Sequence, residues 1–325
     1  MRLLKNKRFI VVLILSLVLS LFSGCHASVP SSDGRLQIVA TIFPIYDWSR
    51  QIAGDQADVT LLLDNGVDLH SYQPTAADIV KISTCDVFIY VGGESDQWAS
   101  DALKEATNKD MVVLNLMKLL GDAVKEEELV EGMEPEEEAE DEEAEEPEYD
   151  EHVWLSLKNA ERVCSFLAET LAGLDSAHEQ LYSDHLNQYL EKLAQLDADY
   201  RAAVDQASHK TLLFGDRFPF RYLTDDYGLN YYAAFIGCSA ETEASFETIV
   251  FLAGKVDELG LNTILQIETS DGSIARTIRN NTKSKDQTIL ILDSLQAITS
   301  QDIRNGASYL SRMEQNLEIL KQALQ

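Results

Sequence analysis

Four side chains of metal-binding type stand in predicted loops of this 325-residue sequence. His70 lies in the stretch DNGVDLHSYQPTAAD, and His152 lies in EHVWLSL, directly after a long run of glutamates. Asp216 and Glu268 each end a short apolar run, in LLFGD and LQIE. Imidazole nitrogens and carboxylate oxygens together are ligands that Zn²⁺ and similar cations use in proteins. The four residues are far apart in the chain, so only the fold could bring them together.

Each of these residues also has an ordinary structural explanation. Taken alone, a loop histidine such as His70 or His152 is more often a structural or surface residue than a ligand. Asp216 could pair with Arg217 or cap a helix, and Glu268 could cap the helix that follows it. The sequence contains no phosphate-binding glycine loop, nucleophile elbow or dinucleotide fingerprint. The other histidines fall in a tether, a helical stretch and a polar linker, and are interpreted as non-functional: His26, His178, His185 and His209.

Strand-like and helix-like runs alternate on both sides of one long helical stretch. Near-continuous apolar runs such as VFIYV and TILILD are typical of strands in a parallel sheet that is covered on both faces. Between the two sets, apolar residues recur at steps of three and four, which predicts one long helix. We therefore predict an α/β protein with a first lobe over 36–177, a linking helix over 178–208 and a second lobe over 209–325. In open α/β sheets, ligands bind at strand ends and helix starts, where the candidate residues lie.

Residues 1–24 have the features of a secretory signal: basic residues, a short apolar run and small residues before Cys25. The apolar run is shorter than the ~20 residues that a spanning helix needs. The ending Ser-Gly-Cys is similar to the lipobox of bacterial lipoproteins, in which the cysteine is lipidated after cleavage. We therefore expect lipidation of Cys25, a flexible tether over 25–35, and a location at the extracytoplasmic face of the cell membrane. A plain signal peptide or signal anchor is the alternative.

The formal net charge is −29, and a glutamate-rich run over residues 125–150 supplies more than half of it. Like charges at this density cannot bury apolar surface, so the run is predicted to be a disordered insert in the first lobe. A chain this acidic would repel phosphates, which argues against nucleic acid as a partner.

Three cysteines follow Cys25, namely Cys85, Cys164 and Cys238. They have no CxxC spacing, and their odd number forbids complete internal pairing. We expect buried thiols at all three positions, with one disulfide as the alternative, and a fold that does not depend on disulfides.

Several segments together resemble one family. IVATIFPIYDW, GVDLHSYQPTAADI, EHVWLSL, the long helix and the terminal SYLSRMEQNL are similar to the zinc- and manganese-binding lipoproteins of bacterial ABC transporters. The resemblance covers nearly the whole chain from Leu36 onward, and its most specific parts are the loops of His70 and His152. It implies two Rossmann-like lobes joined by a rigid helix, one metal ion in the cleft between them, and a metal-attracting flexible loop before the second histidine.

The resemblance also implies a ligand set. His70 and His152 match the first two histidine ligands of the family, and Glu268 matches a position at which the family uses a carboxylate. The remaining position, a histidine in zinc members and a glutamate in manganese members, falls on Gly215, which offers no side chain. The missing ligand is then expected from Asp216, from water, or from a nearby carboxylate, either Glu241 or Glu243. Two imidazoles, a carboxylate and a water can satisfy a tetrahedral Zn²⁺.

The expected function is capture of Zn²⁺ outside the cytoplasm and its delivery to an ABC permease, by a monomer that is not an enzyme. Zn²⁺ is the first choice because nitrogen ligands bind it more tightly than Mn²⁺ and because a low coordination number suits it. Mn²⁺ is the alternative ion, since losing one histidine leaves a ligand set of harder donor atoms.

Two other classes of protein and the role of the acidic insert stay open. A zinc-dependent hydrolase would also use two histidines, a carboxylate and an open position. A surface adhesin is the other class, because some relatives are described as adhesins. The acidic insert is interpreted either as a means of raising the local cation concentration or as a charged solubilising segment.

Overall fold

The computed structural model describes residues 34–133, 148–239 and 243–325. The leader with Cys25, most of the tether, the middle of the acidic insert and Glu241 lie outside the described residues. In the described part of the chain, no helix combines the length and the apolar character that crossing a bilayer requires.

The first lobe is built on a four-stranded parallel sheet. Its strands lie in the order β2-β1-β3-β4, with bounds β1 Leu36–Ala40, β2 Ala57–Leu61, β3 Val87–Tyr90 and β4 Val112–Asn115. The helices of this lobe are α1 Phe43–Ala53, α2 Ala76–Thr84, α3 Trp98–Lys104, α4 Leu116–Leu120 and α5 Leu157–Leu174. The strand order places β2 on one side of β1 and β3 on the other, so the connections run toward opposite edges of the sheet. A crevice therefore opens between the carboxyl ends of β1 and β3.

Helix α6, Glu179–Asp205, links the two lobes. Its 27 residues span about 40 Å. The stripe predicted from the three- and four-residue spacing is buried along the helix, at Tyr182, Tyr189, Leu193, Leu196, Tyr200 and Val204. The prediction of one long helix is therefore confirmed.

The second lobe repeats the arrangement of the first. Its parallel sheet has the order β6-β5-β7-β8, with bounds β5 Thr211–Phe218, β6 Asn230–Ile236, β7 Thr263–Gln266 and β8 Thr288–Ile291. The helices are α7 Arg221–Tyr227, α8 Phe246–Leu259, α9 Ser273–Asn281, α10 Ser300–Arg304 and α11 Tyr309–Ala323. The predicted fold class, two α/β lobes with parallel sheets joined by a long helix, is confirmed.

The C-terminal helix α11 fastens the second lobe back onto the first. The backbone N–H of Tyr309 donates to Asp47 Oδ2 at 2.9 Å, and its hydroxyl donates to the carbonyl of Trp154 at 2.7 Å. The Trp154 indole in turn donates to the carbonyl of Ser294 in the second lobe, at 2.9 Å. One continuous apolar core includes side chains of both lobes. A wide hinge rotation would break these buried contacts, so large movements between the lobes are disfavoured.

Disorder over 125–150 stays a prediction for the middle of the acidic insert, which lies outside the described residues, but the described ends of the insert make defined backbone contacts. Residues 125–133, which we call the strap, run beside the returning residues 148–150. Glu126 and Tyr149 form an antiparallel bridge between the two segments. Two backbone hydrogen bonds join the segments, from Glu127 N–H to the Glu148 carbonyl and from Asp150 N–H to the Lys125 carbonyl, each at 2.9 Å.

The strap lies against the second lobe, where cations and hydroxyl groups meet its charges. Lys125 pairs with Asp225 at 2.7 Å, and Glu128 pairs with Arg221. The Tyr222 hydroxyl accepts the backbone N–H of Lys125 at 3.0 Å. The strap therefore belongs to the first lobe in sequence and to the second lobe in its contacts.

Candidate metal centre

Two imidazoles and one thiol meet where the carboxyl ends of the two sheets face each other. His70 Nε2 lies 3.2 Å from His152 Nε2. The donor atoms of these histidines and of Cys238 all lie within 4.8 Å of one another. Two nitrogens bound to one tetrahedral Zn²⁺ at ~2.0–2.1 Å would be roughly 3.3 Å apart. The two imidazoles are therefore already at the separation that one ion requires.

His70 is positioned by the 3₁₀ turn Leu69–Ser71 that follows β2. The carboxylate of Asp68 begins this turn by accepting the backbone N–H of His70 at 3.0 Å. The Ser95 hydroxyl lies 2.7 Å from His70 Nδ1, which leaves Nε2 directed at His152. Burial, together with the neighbouring His152, lowers the pKa of His70 to about 3. The imidazole is therefore neutral at physiological pH, as metal ligation requires.

The loop after β3 holds Ser95 in place. The backbone N–H of Ser95 donates to Glu151 Oε1 at 2.9 Å. Gly93 has a φ of 79°, and a Cβ on this residue would lie 2.2 Å from the same carboxylate oxygen. Glycine is needed there for both reasons. The glycine pair in VGGESD thus serves to bring Ser95 behind His70.

His152 is fully buried at the start of the 3₁₀ turn Val153–Leu155. Its Nδ1 lies 2.9 Å from Asp150 Oδ1, so the carboxylate fixes a proton on Nδ1 and leaves the Nε2 lone pair for a cation. Burial disfavours the charged imidazole, but the Asp150 carboxylate outweighs it and raises the pKa of His152. Gly237 allows this packing, since a Cβ on it would lie 3.1 Å from the ring.

Cys238 is the donor that sequence reasoning missed. It follows β6 and is half-buried, whereas Cys85 and Cys164 are buried as expected, and all three thiols are free. Burial and the carboxylates of Asp150 and Glu127 raise the pKa of the Cys238 thiol well above its usual range. Cys238 follows the carboxyl end of a predicted strand, as Asp216 and Glu268 do, and the same rule could have identified it as a candidate ligand.

The structure does not bring Glu268 or Asp216 into the donor cluster. Both Glu268 oxygens are held by Ser294, one by its hydroxyl at 2.7 Å and one by its backbone N–H at 2.8 Å. Asp216 accepts the backbone N–H of Arg217 at 2.8 Å and that of Ile267 at 3.2 Å. Both carboxylates thus fix backbone at the ends of parallel strands.

Gly215 is a packing residue. A Cβ at this position would lie 2.5 Å from the Cα of Ala275 in α9, so β5 and this helix are too close for any side chain. Of the two carboxylates that were expected to compensate for Gly215, Glu243 is exposed on the wall of the cleft, and Glu241 lies outside the described residues.

A cleft of about 610 Å³ reaches from solvent to His70. Arg217 crosses it from the second lobe to the first, where Nη2 donates to Asp68 Oδ2 at 2.5 Å. Nη1 donates to the carbonyl of Ser239 at 3.2 Å. The partner of Arg217 is therefore Asp68 in the opposite lobe, and not the adjacent Asp216 that its sequence position suggested.

Known proteins share this architecture. A family model described as zinc-uptake complex component A, periplasmic, matches residues 38–323. The chain is 31% identical over 314 residues to the zinc-binding lipoprotein AdcA of Streptococcus pneumoniae, covering 96% of this chain and 60% of that protein. It is 29% identical over 304 residues to the high-affinity zinc uptake system protein ZnuA of Bacillus subtilis, covering 93% of this chain and 92% of that protein.

Solved structures give the same result. The crystal structure of the Zn(II)-bound ZnuA-like domain of Streptococcus pneumoniae AdcA matches with a TM-score of 0.70 and 28% identity, over 90% of this chain and 99% of that one. The present chain spans only 60% of the length of the complete streptococcal protein.

Proposed function

The chain belongs to the zinc-uptake component A family, and from this premise we propose that it captures Zn²⁺ outside the cytoplasm and delivers it to an ABC permease. The observation that carries the proposal is the convergence of His70, His152 and Cys238 at the carboxyl ends of the two sheets. The family is a solute-binding component of transport, so the chain is a binding protein and not an enzyme.

The donor set favours Zn²⁺ over Mn²⁺. Zn²⁺ binds both imidazole nitrogen and thiolate sulfur well, whereas Mn²⁺ prefers oxygen ligands. The thiol of Cys238 adds a soft ligand to two nitrogens that lie 3.2 Å apart. Mn²⁺ remains the alternative ion, and its affinity for such a set should be far lower.

Ion capture would tie the two lobes together with little movement. His70 and His152 belong to the first lobe, and Cys238 belongs to the second. Since both lobes share one apolar core, we expect the loops around the donors to adjust while the sheets keep their places. The neutral imidazole of His70 is ready for the ion, whereas Cys238 and any protonated fraction of His152 must lose a proton.

The remaining assignments concern location and partners. Lipidation of Cys25 would hold a monomeric receptor at the extracytoplasmic face of the membrane, beside its permease. The names of relatives, a zinc-binding lipoprotein and a zinc uptake system protein, support this placement. The acidic insert would raise the cation concentration near the cleft, and the ordered strap brings its root close to Cys238.

The direct test is metal analysis of the purified protein with competition between ions. We expect one Zn²⁺ per chain, which a large excess of Mn²⁺ fails to displace. Absence of bound Zn²⁺, or displacement by equimolar Mn²⁺, would contradict the proposal. Hydrolysis of ester, peptide or phosphate substrates by the zinc-loaded protein would instead favour the hydrolase alternative.

Zinc affinity is expected to rise with pH by roughly tenfold per unit between about pH 6 and 8. The pKa of Cys238 is raised well above its usual range, so the thiol is protonated throughout this window and releases its proton when the ion binds. His70, with a pKa of about 3, is already neutral and adds nothing to the slope. His152 has a raised pKa, so any protonated fraction makes the slope steeper. Chelator competition at several pH values measures this slope.

The control for the pH profile is Cys238→Ser, whose hydroxyl is not deprotonated in this range. Its profile should be flatter by about one unit of log affinity per pH unit. A wild-type profile as flat as that of the variant would show that the thiol proton is not displaced.

A further inference from the structure

Glu127 of the strap reaches the metal centre from the side of Cys238. Its Oε1 accepts the backbone N–H of Cys238 at 3.3 Å. Its Oε2 is buried and has no hydrogen-bond partner among the described residues. Burial raises the pKa of Glu127 to about 7, against the opposing influence of His152 nearby. A buried carboxylate oxygen without a donor is costly unless something else satisfies it.

The three donors leave one position of a tetrahedral ion open. Two buried carboxylates near the histidines lie beside the Nδ1 atoms of the rings and not beside the Nε2 atoms that face the cluster. Asp150 holds His152 Nδ1, and Glu151 accepts the backbone N–H of Ser95. The second oxygen of Glu151 lies 3.7 Å from His70 Nδ1, on the ring edge away from Nε2. Neither carboxylate faces the open position.

Asp68 is closer to the donor atoms but is fully engaged. Its Oδ1 accepts the backbone N–H of His70 and lies 3.9 Å from His70 Nε2, while Oδ2 accepts from Arg217. Moving Oδ1 onto an ion would pull the Asp68 carboxylate away from the backbone N–H of His70 that begins the turn, and from Arg217. Glu127 would give up only its contacts to Cys238, namely the backbone N–H at 3.3 Å and the thiol, which loses its proton when it binds an ion.

We propose that Glu127 is the fourth ligand of the bound Zn²⁺, supplied by the folded root of the acidic insert. This assignment rests on the function proposed above. The ion would then be held by two imidazoles, one thiolate and one carboxylate. Glu127 Oε2, which has no hydrogen-bond partner among the described residues, would bind the metal.

The strap is anchored well enough to present such a ligand. On one side of Glu127 the backbone of Lys125 is held by the Tyr222 hydroxyl. On the other side Glu128 pairs with Arg221 and accepts from the Tyr231 hydroxyl at 3.1 Å. The backbone around Glu127 is therefore held in place, and the proposal requires the Glu127 side chain to rotate from Cys238 toward the ion.

The test is Glu127→Gln, with Glu126→Gln as the matched control, since Glu126 is the exposed neighbour on the same strap. Zn²⁺ affinity by chelator competition should fall at least tenfold in Glu127→Gln and stay within twofold of wild type in Glu126→Gln. Thermal unfolding of the metal-free proteins shows whether the strap itself has been disturbed.

Co²⁺ bound in place of Zn²⁺ distinguishes a ligand from a residue that only supports the site. The d–d bands report the coordination sphere, so they should change in Glu127→Gln and remain unchanged in Glu126→Gln. The thiolate-to-metal charge-transfer band from Cys238 should persist in both variants.

Two results would overturn the assignment: unchanged Zn²⁺ affinity in Glu127→Gln, or reduced affinity with d–d bands identical to wild type. Either leaves the proposed function standing if the wild-type protein binds Zn²⁺. Failure of the wild-type protein to bind Zn²⁺ would instead contradict the proposed function itself.

Discussion

Replacing His152 by alanine is expected to weaken Zn²⁺ binding by about a thousandfold. A zinc site of this kind is held by ~10–16 kcal/mol, so the loss of one of four ligands removes roughly 3–4 kcal/mol, or two to three factors of ten. The change also leaves the Asp150 carboxylate buried without its partner at 2.9 Å. Competition with a chelator of known affinity, on metal-depleted protein, measures the effect.

The matched control is His178→Ala. His178 is exposed at the start of α6, where it pairs with Asp175. It is not one of the residues of the donor cluster. The His178→Ala variant should bind Zn²⁺ as the wild type does. His70→Ala guards against misfolding of the His152 variant, because the His70 side chain keeps 11% of its surface exposed, whereas His152 keeps none, and it should show a similar loss. Undiminished binding in both His70→Ala and His152→Ala would place the ion elsewhere.

Replacing Cys238 by serine is expected to lower Zn²⁺ affinity by about a hundredfold while changing Mn²⁺ affinity less than about threefold. A neutral hydroxyl is a poor substitute for thiolate at Zn²⁺, whereas Mn²⁺ gains little from sulfur. The ratio of the two affinities should therefore fall by more than tenfold. Titrations with each ion, followed by competition between them, give this ratio directly.

The control for Cys238→Ser is Cys85→Ala. The Cys85 thiol is buried in the first lobe and donates to the carbonyl of Ile82. This variant should lose some stability and none of its metal selectivity. The charge-transfer band of bound Co²⁺ should disappear only in Cys238→Ser. Its persistence there would mean that the sulfur ligand is not Cys238.

The parts of the site that the sequence predicted are those set by local patterns. His70 and His152 stand in short loops whose neighbours fix their geometry, a capping Asp68 for one and Asp150 two residues before the other. The near-continuous apolar runs predicted both sheets, and the three- and four-residue spacing predicted α6, because burial of each element leaves a local pattern in the chain.

The parts that could not be predicted depend on contacts between distant segments. Cys238 becomes a candidate ligand only because β6 ends opposite His152, with Gly237 against the ring. The ends of the acidic insert are ordered because Arg221 and Tyr222, nearly a hundred positions away, meet them in the second lobe. Charge density alone predicts repulsion and contains no information about such partners.

Gly215 limits how this binding site can change in evolution. With the Cα of Ala275 only 2.5 Å from where a Cβ would stand, every substitution at Gly215 must first displace a helix of the second lobe. A lineage carrying this glycine therefore has no single-step route to a side-chain ligand there. Shifts in ion preference should instead arise at Cys238 or on the strap, where a new side chain requires no rebuilding of the sheet. Among relatives that differ in ion preference, substitutions should be rare at Gly215 and concentrated at Cys238 and on the strap.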